Sequence, residues 1–197
     1  MNLKITGTGS AIPNEIVDNA SFLNHRFLDN EGNAFTQENQ EIIEKFSAIT
    51  GIQQRRYAPA EINSSDLAAE AALKAIADAG ISKEELDYII VAHNFGDTQK
   101  GSHQSSPLPS VASKVKTLLR IENPKCVAYD ILFVCPGWID GMIQAQALIK
   151  AGMAKKCLVI GTETLSRVGD PADRDSMIFA DGAGATILEK SEESGGI

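Results

Sequence analysis

Tyr129-Asp130-Ile131-Leu132-Phe133-Val134-Cys135-Pro136-Gly137-Trp138-Ile139-Asp140 reads as an apolar strand running straight into a cysteine, with a helix opening immediately after it. Pro136 suits the first helical position, where its missing N–H costs nothing and its fixed φ is already helical. The sulfur of Cys135 would then lie beside the unpaired N–H groups of a helix start, whose positive end favours thiolate over thiol. A nucleophile on a strand-to-helix turn also stands at the C-terminal edge of a sheet, where α/β proteins bind ligands. Taken alone, the residues leave a second reading open, in which Cys135 is a small buried hydrophobe like most lone cysteines.

Outward from this segment, strand and helix patterns alternate. Leu3 to Gly7 reads as a short strand ending in a Gly7-Thr8-Gly9-Ser10 turn, and Asn30-Glu31-Gly32-Asn33 as an exposed loop. Ile42, Ile43, Phe46 and Ile49 have helical spacing up to a stop at Gly51. Asn63-Ser64-Ser65-Asp66 opens a helix to Ala79 whose small-residue face (Leu67, Ala71, Ala72, Ala75, Ile76, Ala79) permits close packing, with Gly80 as its stop. Ser82-Lys83-Glu84-Glu85 is a capping box before Tyr88–Ala92, apolar on both faces as a central parallel strand should be. A helix through Val111, Val115, Leu118 and Leu119 follows, then a buried strand over 126–134 and a helix over 140–151 stopped by Gly152. Strands over 156–161 and, after a Gly-rich turn, 185–188 complete the pattern. The alternation predicts an α/β fold with a mainly parallel sheet covered by helices on both faces.

The 197 residues make one domain or little more. With 18 Lys plus Arg against 26 Asp plus Glu, the formal charge is −8, which argues against a general binder of nucleic acid or anionic membranes. The longest apolar runs are far too short to span a bilayer, and the start lacks a signal-peptide pattern, so a cytoplasmic location is expected. Cys126, Cys135 and Cys157 include no Cys-x-x-Cys, and His25, His93 and His103 are scattered, so neither disulfides nor a metal are expected. Cys126 and Cys157 fall inside strands and read as core filler. Gly7-x-Gly9 lacks the third glycine of a dinucleotide loop, with Ile12 in its place, which discards NAD. Asp181-Gly182-Ala183-Gly184 opens no helix and reads as close backbone approach beneath a site.

The segment from Asp130 to Cys135-Pro136-Gly137-Trp138 resembles the active-cysteine segment of the β-ketoacyl-acyl-carrier-protein (ACP) synthase III family, which carries Asp-x-x-x-x-Cys-Ala-Gly-Phe. Further matches follow in order: Ile5-Thr6-Gly7-Thr8-Gly9-Ser10 with Pro13, Thr50-Gly51-Ile52 before Arg55-Arg56-Tyr57, Gly161-Thr162-Glu163, Asp170-Pro171-Ala172-Asp173-Arg174, and Phe179-Ala180-Asp181-Gly182-Ala183-Gly184-Ala185. The resemblance implies a thiolase-like fold of two similar halves, of which residues 1–197 form the first and the second is absent. It implies an acyltransferase of fatty-acid or related lipid metabolism with no cofactor. Cys135 would take an acyl group from acyl-CoA or an acyl-ACP, and malonyl-ACP would then condense with it decarboxylatively. The family's catalytic histidine and asparagine belong to the second half, so the chain alone is not expected to condense. His93 and His103, in a polar loop, are expected to be solvated rather than catalytic.

Residue by residue, the resemblance places Arg174 at the CoA adenine end, where the plain alternative is a surface ion pair with Asp173 or Asp175. It places Thr50, Leu165 and Phe179 along the acyl pocket, positions that otherwise read as core. Leu108 stands where a partner subunit normally supplies an aromatic wall, which implies a homodimer and more room for acyl chain. Two departures stand out: Lys45 and Ile49 occupy positions where the family carries a tryptophan and an arginine that grip CoA. Together with longer loops near 24–40 and 93–108 and with Trp138 after the nucleophile, they point to a longer or carrier-bound acyl donor. Rival readings are a hydroxymethylglutaryl-CoA-synthase-like acyltransferase and a non-catalytic acyl-binding or dimerisation module.

Overall fold

A strand apolar on both faces needs cover on both faces, and Tyr88–Ala92 obtains it near the middle of a five-stranded sheet. The computed structural model describes residues 2–102 and 104–191; His103 and the Gly195-Gly196-Ile197 end lie outside the described residues. In chain order the elements are β1 (Asn2–Ala11), β2 (Glu15–Asp18), α1 (Asn39–Thr50), β3 (Gln54–Tyr57), α2 (Ser64–Ala79), β4 (Tyr88–Ala92), β5 (Asp97–Thr98) and β6 (Ser105–Ser106). They continue with α3 (Val111–Leu118), β7 (Val127–Ile131), α4 (Gly137–Lys150), β8 (Lys156–Thr164) and β9 (Asp181–Ser191). The large sheet has the order β1-β9-β8-β4-β7. β4 is parallel to both β7 and β8, while β9 runs against both β8 and β1. Four of the five strands therefore point the same way, the mainly parallel arrangement that the sequence predicts.

Side-chain alternation sorts the core. Ile89, Val91, Leu158 and Ile160 face α2 and α3, whereas Ile90, Ala92, Cys157 and Val159 face α4. A third cluster, Phe22, Phe27, Ile42, Ile43 and Met177, ties α1 and the 24–40 loop to the segment after β8. The loop tip is exposed as expected, with the Asp29 carboxylate accepting the N–H groups of Glu31 and Asn33. α1 ends at Gly51 and α2 at Gly80, both left-handed, as read from sequence. Within α1, however, Ile49 is exposed, because the last turn overhangs a surface hollow instead of the core. Leu118 is likewise half exposed, and Leu119 takes the buried place.

The expected turn at Gly7-Thr8-Gly9-Ser10 is instead the second half of β1, paired with β9 as far as Ala11↔Ala183. The glycines answer to packing. A Cβ on Gly7 would stand 2.3 Å from the Ala75 carbonyl oxygen, and one on Gly9 2.2 Å from that of Ala71. The small-residue face of α2 therefore lies directly on the β1 backbone. α4 uses the same device on the opposite face, where a Cβ on Gly141 would meet Val159 at 2.8 Å and one on Gly137 would meet Ala92 at 3.0 Å. The expected Gly-rich turn before residue 185 is also strand, the start of β9. Gly182 there comes close to Ala11, while Gly184 faces open space.

Gly9→Val forces a branched side chain into the Ala71 backbone and is expected to lower stability by about 3 kcal/mol. Gly184→Ala, with nothing within 4 Å, serves as the contrasting substitution and is expected to change little. Urea unfolding midpoints of the two variants check the difference.

Candidate active site

β7 is shorter than the strand expected over 126–134. Its ladder ends where Ile131 accepts the His93 N–H at 3.1 Å, and Leu132, Phe133 and Val134 then run exposed over the sheet edge. The chain reverses in a turn closed by Gly137 N–H donating to the Val134 carbonyl at 3.0 Å. Val134 pays for the reversal with φ of 40°, a left-handed backbone that a β-branched residue seldom adopts. Pro136 precedes α4 instead of forming its first residue, and Asp140 N–H donates to its carbonyl at 3.0 Å. Cys135 is exposed on this turn, two residues before the helix begins. Among the described residues no carbonyl accepts the Cys135 N–H.

The thiol opens on a cleft of about 310 Å³ at the edge where β4, β7 and β8 end. Register brings Ala92 beside Ile131 and Gly161, so the residues that follow each strand converge there. The walls are Ala92, His93, Asn94, Val134, Trp138, Thr162, Glu163, Leu165 and the backbone of Gly161 and 182–184. Trp138 packs over Gly161, where a Cβ would lie 3.5 Å from the tryptophan Cβ.

His93 corrects the expectation of a solvated loop histidine, being only 5% exposed. It follows a central strand directly and is locked from both sides. Gly96 N–H donates to Nδ1 at 3.0 Å, and Nε2 donates to Asp130 Oδ2 at 2.9 Å. Asp130 also accepts the N–H groups of Val111 and Ala112, both at 2.8 Å, at the start of α3. Burial alone would raise its pKa, but these hydrogen bonds outweigh burial and hold the carboxyl below its ordinary value. Glu163 reaches the cleft from β8 and accepts a hydrogen bond from the Asn94 N–H. Burial pushes its carboxyl up, opposed by that bond. Sequence reading passed over Asn94 and Glu163 as site groups, although both stand at C-terminal ends of parallel strands, the edge where ligands bind.

The other expected site residues are spread over neighbouring hollows. Leu165 lines the Cys135 cleft and, with the partly exposed Phe179, a smaller hollow beside it. Thr50 is exposed, not core, at the end of α1. It shares a third hollow with Arg174, Lys45, Ile49 and Ile178. Arg174 lies over the Phe35 ring at 4.9 Å and only 3.9 Å from Asp175, a loose exposed pair. Lys45 is engaged by Glu41 at 2.8 Å. Leu108 is 82% exposed beside a polar hollow that includes Asp97 and Lys114, away from the thiol cleft. Cys126 and Cys157 are buried, as expected.

The chain resembles known sequences along its whole length. The sequence model of 3-oxoacyl-[acyl-carrier-protein] synthase III matches residues 129–197. The β-ketoacyl-[acyl-carrier-protein] synthase III of Staphylococcus aureus (strain Newman) is 38% identical over 198 residues, across 100% of this chain and 56% of its own. The chain is thus similar to 3-oxoacyl-ACP synthase III proteins, and it spans about half the length of the curated relatives it matches. Its thiolase-like fold is shared with the synthase III of Aquifex aeolicus VF5, at a TM-score of 0.77 and 32% identity over 97% of this chain and 55% of that one. The 3-oxoacyl-ACP synthase of Burkholderia xenovorans LB400 superposes at 0.80 with 27% identity, over 98% and 50% of the two chains. No helix among the described residues is long and apolar enough to cross a membrane.

Two outcomes are expected. Burial pushes Cys157 up to about 12 and also raises Cys126, whereas Cys135 is exposed. Iodoacetamide under native conditions should therefore modify Cys135 alone, and all three cysteines in urea, as read by peptide mass spectrometry. Asp130→Asn should cost about 2 kcal/mol at neutral pH. A depressed native pKa contributes stability above the ordinary value of 3.8, lost as pH falls through the native value. The gap between wild type and variant in urea unfolding should accordingly close below that pH.

Proposed function

We propose that this chain supplies the acyl-accepting half of a 3-oxoacyl-ACP synthase III-type condensing enzyme, with Cys135 as nucleophile. The observation that carries the reading is the exposed Cys135 on a strained strand-to-helix turn, facing a cleft at the C-terminal edge of the sheet. The Cys135 thiolate attacks the carbonyl carbon of an acyl thioester, giving a tetrahedral oxyanion. The Cys135 N–H, which no carbonyl among the described residues accepts, would donate to that oxygen. Collapse breaks the bond to the donor sulfur, which leaves as a thiolate and takes up a proton, and the acyl group stays on Cys135. In the family, a malonyl-ACP then loses CO₂ and its carbanion attacks the acyl-cysteine, with a histidine and an asparagine of the second half stabilising the enolate. His93 takes no part in that step, since both of its ring nitrogens are committed to Asp130 and Gly96.

The hollow holding Thr50 and Arg174 is the proposed entrance for the donor. Its rim offers Lys45 and Ile49 instead of a stacking tryptophan and a free arginine, which favours a longer or carrier-bound acyl donor over acetyl-CoA. Leu165 and Phe179 are proposed to follow along the acyl path. The partner is a second copy of this chain. Supporting this, β7 is an edge strand, and the exposed Leu132, Phe133, Ile139 and Ile143 cluster around its end and along α4.

Intact-mass spectrometry of the whole chain after incubation with acyl-CoA and acyl-ACP donors tests the reading. One acyl mass should be added per chain, map to the Cys135 peptide, and vanish in Cys135→Ala. Ketoester formation by the 197 residues alone is not expected. An unmodified Cys135 with every donor would overturn the assignment, and acylation by short but not long donors would overturn the donor preference.

A further inference from the structure

His93 is the buried titratable group that the proposed chemistry leaves unused, and the chain around it is shaped to hold its ring. Gly96 takes a left-handed φ of 68°, which turns its N–H back onto His93 Nδ1 at 3.0 Å. A Cβ on Gly96 would stand 3.5 Å from the Ser106 carbonyl oxygen and 3.7 Å from the ring Cε1, so turn and ring lie in close contact. Because Gly96 donates, Nδ1 is the acceptor, and the ring proton lies on Nε2, where Asp130 Oδ2 accepts it at 2.9 Å. Asp130 is itself anchored by the Val111 and Ala112 N–H groups, each at 2.8 Å. The ring is thereby held in one orientation and one tautomer. Its main chain is fixed as well: His93 N–H donates to the Ile131 carbonyl at 3.1 Å, and the Asn94 N–H donates to Glu163.

These bonds tie one wall of the thiol cleft to the strand that delivers the sulfur. His93 and Asn94 line the cleft from the exit of β4, while Asp130 and Ile131 end β7, from which Leu132–Val134 lead to Cys135. We propose that His93 is a positioning residue for acyl transfer to Cys135: as the Nε2–H tautomer it bridges Asp130 and Gly96, and so fixes the 93–96 wall relative to the strand that carries the nucleophile. The inference rests on the acyl-transfer reading and adds to it a group that acts through its neighbours, with no proton taken or given by the ring. An acyl thioester has to be held with its carbonyl carbon against the sulfur, and a small displacement of the wall slows that step strongly. A small reagent that attacks the thiol without docking is indifferent to the wall.

The test compares two rates at Cys135, read by intact mass in the whole chain. One is acylation by whichever of butyryl-CoA, octanoyl-CoA and octanoyl-ACP labels wild type fastest; the other is alkylation by iodoacetamide. His93→Leu removes both ring hydrogen bonds and should slow acylation about tenfold or more, with alkylation within about twofold of wild type. His93→Gln, whose amide carries both an acceptor and a donor, should restore acylation to within about threefold. His93→Asn keeps an acceptor for Gly96 but falls short of Asp130, so it should show the same selective loss and serves should His93→Leu not fold. Nitrogen NMR of the wild-type imidazole should find the proton on Nε2. Acylation that is unchanged, or that falls only in step with alkylation, in a folded His93→Leu or His93→Asn overturns the positioning role and leaves acylation of Cys135 standing. A proton on Nδ1, or a His93→Gln no faster than His93→Leu, overturns it equally. Absence of any Cys135 adduct in wild type with all of these donors overturns it together with the reading beneath it.

Discussion

One carboxylate holds the working edge of this sheet together. Asp130 sits on the penultimate residue of β7 and accepts hydrogen bonds from the His93 ring and from two N–H groups at the start of α3. It thereby joins three elements far apart in sequence: the exit of β4, the first turn of α3 and the strand that delivers Cys135. Each of its bonds satisfies a donor that burial would otherwise leave orphaned. His93, fixed by Asp130, in turn shapes the Asn94–Gly96 turn, and Asn94 holds Glu163. The cleft inherits its form from this relay of hydrogen bonds, with apolar packing supplying the bulk on either side.

Helices and central strands were legible because their signals are local. The alternating apolar faces of Tyr88–Ala92, the capping box at Ser82 and the glycine stops at 51 and 80 each act within a few residues. The Gly7 and Gly9 segment misled for the opposite reason. Glycine signals a turn when only its own backbone freedom is considered, whereas here it answers to the carbonyls of Ala71 and Ala75, over sixty residues away. The Ala-rich face of α2 was visible in the sequence, but its partner was not. The 126–134 strand was overextended because Leu132, Phe133 and Val134 are apolar, and apolar character alone does not tell a buried strand from an exposed rim.

The turn that carries Cys135 was legible in the sequence, its surroundings only partly. Cys135, followed by a proline and a helix, announced its geometry, and the structure differs mainly in where strand ends and helix begins. Polar neighbours in sequence mask the buried contact of His93 with Asp130. Thr50 and Arg174 line one hollow beside α1, separate from the thiol cleft. Pockets assembled from distant segments have no periodicity for a sequence to display.

Val134 carries a lasting consequence. The left-handed backbone belongs to the residue before Cys135, so the side chain at 135 takes no part in setting the bend. A hydroxyl placed there would inherit the same perch with far weaker nucleophilicity. Under the acyl-transfer proposal, the architecture lends itself to capturing an unreacted thioester for crystallography, because disarming the sulfur leaves the bend beneath it untouched.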